Sequence, residues 1–104
     1  MTQIALLHKH YDQEHLETVK SEMVEMGAPT VRAIWSEMYG MWLAVEGCHR
    51  LRAAHALGIT PVIVDISEEE KATIQVDEYD EEVDIFELTI ELQDQASRTE
   101  ILVF

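Results

Sequence analysis

Cysteine occurs once in the 104 residues, as Cys48, so no intramolecular disulfide can form and stability has to come from an ordinary core, as in a reducing compartment. No apolar stretch approaches the roughly 20 residues that span a bilayer. The amino terminus also lacks the basic, apolar, small-residue layout of a secretory leader, and a cytoplasmic protein with no membrane partner is expected. Internal repeats and low-complexity linkers are missing, and the length suits one modest core, a single domain over residues 1–104.

Bases are scarce as well: seven Lys and Arg stand against 21 Asp and Glu, a net charge of −14. Residues 1–66 carry eight acids against five bases, whereas residues 67–104 carry thirteen acids against Lys71 and Arg98. The acidity therefore belongs to the C-terminal segment 67–104. A surface this negative repels phosphate backbones, and direct nucleic-acid binding is not expected. A nucleotide remains admissible, because a pocket needs only a local positive field.

What is present is periodic. Ile4–Leu7 is a short strand candidate, followed by polar His8–Tyr11. Asp12 is suited to cap a helix and Tyr11 and Leu16 to staple it. Leu16, Val19, Met23 and Met26 recur at helical spacing until Gly27 and Pro29 end the run, which assigns both methionines to the core. Thr30–Trp35 and Trp42–Val45 read as a hairpin turning at Tyr39-Gly40, with Trp35 and Trp42 either packed on each other across it or offering a ring to stack on a base. Val62-Ile63-Val64 reads as a strand buried on both faces. Ser67 and Glu70 form a capping-box pattern for a short helix, and Thr73–Val76 reads as a brief strand. Residues 80–95 fit both periods. Their acids lie near the start, where a helix dipole favours them, and this decides for a helix over Asp80–Gln95. Ile101–Phe104 ends the chain as a strand or tail. The sum is an α+β (or α/β) domain, a small mixed sheet with helices.

Chemistry concentrates in Val45–Pro61, VEGCHRLRAAHALGITP. Gly47 permits a sharp reversal, and the first free amides of the following helix, with its dipole, offer positive potential to an anion. His49 and Arg50 add side-chain donors, and the guanidinium fork can hold two phosphate oxygens at once. The turn is read as a phosphate-holding element. The plainer alternative makes His49 a cap and pairs Arg50 with an acid such as Glu46. Arg52 and His55, further along the helix, are assigned to a solvated face. His8, His10, Asp12, Glu14 and His15 have the residue types of a metal site, but their spacing defines no ligand set; they are read as the rim of the phosphate pocket and no metal site is assigned.

The order strand, Glu46-Gly47-Cys48-His49-Arg50, helix with Ala53-Ala54 and Leu57-Gly58, then Pro61-Val62-Ile63-Val64 resembles the signature of the ParB/sulfiredoxin superfamily. Tyr11–Gly27, Pro29–Trp35 and Trp42–Val45 resemble that family's first long helix, next strand and motif-delivering strand. The resemblance implies nucleotide binding at Gly47, His49 and Arg50, with His15 and Thr18 of the first helix as further phosphate contacts and ATP or CTP with Mg2+ as the cofactor. It implies two catalytic residues. Cys48 would attack a phosphorylated sulfinic acid, as in sulfiredoxins; Glu46 would accept the acceptor's proton in phosphoryl transfer, and an acid before the glycine is closer to the ParB and kinase branches. The plainer reading of Cys48 is a small buried hydrophobe. The alternative to an enzyme is a nucleotide-responsive module that acts on a protein partner through the acidic C-terminal segment, within which Asp77–Asp84 is read as a solvated run.

Overall fold

The computed structural model describes residues 2–76 and 79–104. Asp77 and Glu78 of the acidic run lie outside the described residues. Among the described residues the fold is α+β: three α-helices around a five-stranded mixed sheet, with a separate two-stranded hairpin. Among the described residues no helix is long and apolar enough to cross a membrane.

The main sheet is built from β1 (Gln3–Ala5), β2 (Thr30–Ser36), β3 (Met41–Ala44), β4 (Val62–Asp65) and β7 (Ile101–Val103), in the order β4-β2-β3-β1-β7. β2 and β3 form the expected hairpin, with Trp35 opposite Trp42 and their rings edge to face at 5.2 Å. β1 runs parallel to β3 and antiparallel to β7, and Thr2 and Phe104 exchange backbone hydrogen bonds of 3.0 and 2.8 Å.

Alternation along these strands divides the core. Ile4, Val31 and Ala44 face α1 (Gln13–Met26) and α2 (Cys48–Leu57), where Cys48 and Leu51 meet them. Ala5, Ile34 and Leu43 face α3 (Ile85–Gln95), which buries Ile85, Leu88 and Leu92 against them. α1 starts where Asp12 Oδ1 accepts the His15 amide at 3.0 Å and ends at Gly27, whose φ is 82°.

Five expectations are corrected. Met26 is 82% exposed: it continues the stripe His15, Val19, Glu22, which lines a cleft, whereas the buried face of α1 runs through Leu16, Val19 and Met23. β4 is an edge strand, not one buried on both faces, and Val62 and Val64 are 53% and 42% exposed; an apolar run alone does not tell an edge from a centre. No helix starts at Ser67. Asp65 Oδ1 accepts both the Ser67 amide and its hydroxyl, and the Ser67 oxygen accepts the Trp35 amide, so the residue closes a turn. Residues 79–84 are a strand, β6 (Tyr79–Asp84), paired in register with β5 (Lys71–Val76), and the helix starts later because Asp84 is its cap, accepting the Glu87 amide at 3.1 Å. Arg52, finally, is buried. Its Nη2 donates to the carbonyls of His8 and Lys9 at 3.0 and 2.9 Å and contacts Glu100 Oε2 at 3.3 Å, and the guanidinium lies 4.9 Å from the Tyr11 ring centre. Helix α2 thereby holds the irregular segment 8–11 in place. His55 is exposed, as expected.

Candidate functional site

Helix α2 enters from β3 through Val45-Glu46-Gly47. Gly47 is left-handed (φ 73°, ψ 31°), and a Cβ there would stand 2.8 Å from Val31 Cγ1. With no side chain on its cap, the helix presents the amides of Cys48, His49 and Arg50 without intrahelical acceptors, the first backbone bond being Leu51 to Gly47 at 2.8 Å.

Arg50 folds back over this turn. Its Nη1 donates to the Thr30 carbonyl at 3.0 Å and its Nη2 lies beside Gly47. No ion pair joins Arg50 to a carboxylate among the described residues. The plainer expectation, Arg50 paired with Glu46, is not what forms. Glu46 instead grips Arg32, accepting from Nε, Nη2 and the backbone amide, all at 3.1 Å. Burial pushes the Glu46 carboxyl up, but the Arg32 hydrogen bonds and the charges of Arg32 and Arg50 outweigh it and hold the group below its ordinary value.

His49 links the two helix starts. Its Nε2 accepts the Asp12 amide at 3.0 Å, which puts the ring proton on Nδ1, and its ring meets His15 edge to face at 4.6 Å. Desolvation first, and then the neighbouring His15, Arg52 and His8, lower its pKa below the ordinary 6.5. The imidazole is neutral at pH 7 and keeps Nδ1–H as its one donor. A group whose folded pKa is depressed stabilises above its unfolded pKa and loses that contribution as pH falls through the folded value. The melting temperature should therefore decline from pH 6.5 to 5, before the carboxylates held below 4.5 and 3.8 at Glu46 and Asp12 begin to contribute. His49→Ala should flatten that decline; coincident pH profiles for variant and wild type would contradict the assignment.

Two clefts meet at this turn and share Glu46, Gly47 and His49. The first, of about 550 Å³, runs between α1 and the turn, and its lining combines polar His15, Glu22, Thr30 and Arg50 with apolar Val19, Met23 and Met26. The second, of about 620 Å³, lies toward the β5–β6 hairpin and is lined by His8, Arg32, Cys48, Thr73 and Asp80.

Of the residues singled out from sequence, Gly47, His49, Arg50 and His15 thus come together on the first cleft. Thr18 does not: it is exposed and its hydroxyl donates to the Glu14 carbonyl at 3.2 Å. Cys48 is 6% exposed, packed among Ile4, Leu6, Val31 and Leu51, and borders only the second cleft. Arg32, Glu22 and Thr30 carry no motif, and only the fold brings them here. Among the described residues no three His, Cys, Asp or Glu side chains are grouped to hold a metal ion. Compared with known proteins, the chain matches no protein-family model, no curated protein and no solved structure.

Proposed function

We propose that the protein is a binding module for a phosphate-bearing ligand of nucleotide size, held in the first cleft. One observation carries this: an uncapped helix start and a guanidinium free of carboxylate partners among the described residues face the same space. Phosphate oxygens would take the His49 and Arg50 amides and the Arg50 fork, where the helix dipole adds to the charge. Val19, Met23 and Met26 offer the apolar wall that a base needs, and Glu22 offers an acceptor for its amino group or for a ribose hydroxyl. The resemblance of the turn to the ParB/sulfiredoxin signature points to the same class of ligand, ATP or CTP. Mg2+ would arrive on the nucleotide's own phosphates, for which the module supplies the cradle.

The reading stops at binding because both residues assigned to chemistry are otherwise engaged. The Cys48 side chain is part of the core, and the Glu46 carboxylate is held by Arg32. ATP, CTP and GTP, each at millimolar concentration with Mg2+, are to be compared by thermal shift. At least one is expected to stabilise the wild type, by about 2.7 kcal/mol at 100 times its Kd. Arg50→Ala should weaken that nucleotide about tenfold or more, measured against the variant's own ligand-free melting temperature. No shift with any of the three, or an undiminished shift in Arg50→Ala, would refute the proposal.

A further inference from the structure

On the opposite face of the sheet α3 is only half covered. Ile85, Leu88 and Leu92 turn inward, but Phe86 and Ile90, one helical turn apart on the outside, are 74% and 52% exposed. Both point away from the core that the inward residues build. Glu87 and Glu91 flank the pair, both exposed. At its first turn lies a groove of about 390 Å³ whose lining includes Ser67, Glu69, Glu70, Lys71, Asp84 and Phe86, so that three carboxylates, one ammonium and an aromatic ring border one cavity. The nearby bases are occupied: Lys71 Nζ lies 3.4 Å from Glu82 and Arg98 Nη2 lies 3.3 Å from Asp94.

We propose that this face of α3, with the adjoining groove, docks a basic amphipathic helix of a partner protein. The apolar pair repeats at i, i+4, the spacing a partner helix matches with its own ridge. Charge selects the partner. Residues 67–104 hold thirteen acids against two bases, so a second copy of this chain, a nucleic acid or an anionic membrane would all be repelled. Lys or Arg flanking the partner's apolar stripe would meet Glu87 and Glu91, and one basic side chain would enter the groove, its stem on Phe86 and its head among Glu69, Glu70 and Asp84. The proposal is independent of the phosphate site, which lies across the sheet.

The test uses the full chain and a fluorescent synthetic helix of leucine and lysine with an apolar stripe, measured by anisotropy, with a twin in which glutamate replaces lysine. The lysine peptide should bind and the glutamate peptide should not. The Phe86→Ser/Ile90→Ser double variant, altered only at exposed positions and checked for folding by circular dichroism, should weaken binding about tenfold or more. Glu69→Gln/Glu70→Gln should weaken it and reduce its dependence on salt. Arg50→Ala should leave peptide binding unchanged, which separates this surface from the phosphate site. Absence of binding, equal binding of both peptides, or undiminished affinity in the double serine variant would each overturn the proposal.

Discussion

Arg52→Ala is expected to destabilise the protein by about 2–4 kcal/mol, lowering the melting temperature by at least about 8 °C. The side chain is 6% exposed and its guanidinium donates to the carbonyls of His8, Lys9 and His10, the last at 3.5 Å, so its removal strands three acceptors beside the space it leaves. The upper end of the range for broken buried pairs is not reached, because Glu100 is 46% exposed and recovers water. The damage should spread along the chain. Segment 8–11 leads directly to Asp12, whose amide binds His49 and whose carboxylate caps α1. Hydrogen exchange should therefore accelerate at the start of α1 as well as in segment 8–11. Arg52→Lys keeps the charge but not the planar fork and should fall between wild type and alanine. A melting temperature within about 3 °C of wild type for Arg52→Ala would remove this residue as the organiser of the amino-terminal segment.

The second large effect is at Gly47. Gly47→Ala forces a side chain into left-handed backbone, at about 1–2 kcal/mol, and places its Cβ 2.8 Å from Val31 Cγ1, a fully buried side chain with little room to move. Overpacking of this kind adds about 1–3 kcal/mol, for a total of about 2–5 kcal/mol. The two components separate in a double-mutant cycle. Gly47→Ala/Val31→Ala removes the collision and leaves the backbone strain, so its cost should be less than the sum of the single variants. Strict additivity would show that the steric account is wrong. Shifting the turn would also misalign the His49 and Arg50 amides, and a Gly47→Ala protein that still folds should lose nucleotide stabilisation.

These two residues mark the limits of what the sequence reveals. Gly47 was legible because its signal is local: a glycine between an apolar strand and a helical run has few other uses. The same holds for α1, whose cap at Asp12 and stop at Gly27 lie within its own segment, and for the facing pair Trp35 and Trp42. Arg52 was not legible, because arginine is ordinarily a surface residue and its acceptors are backbone carbonyls about forty positions away, which carry no side-chain signature. Tyr79–Asp84 misled for a related reason. Its acids suit a helix start, but the pairing with Lys71–Val76 that makes it a strand is a tertiary fact. At the candidate site, Gly47, His49, Arg50 and His15 converge, yet the partner of Glu46 is Arg32, one strand away, and the imidazole at 49 is a neutral hinge between two helices.

The placement of β1 has a consequence for how the molecule assembles. The second-from-edge strand comes from the first residues and the edge strand beside it from the last, with Ile4 opposite Leu102. Bringing such distant segments together carries a length-dependent entropy cost of about 4 kcal/mol, against little for the β2–β3 hairpin. During synthesis β1 can pair with β3 long before β7 is made, so the β1–β7 registration forms later than the rest of the main sheet.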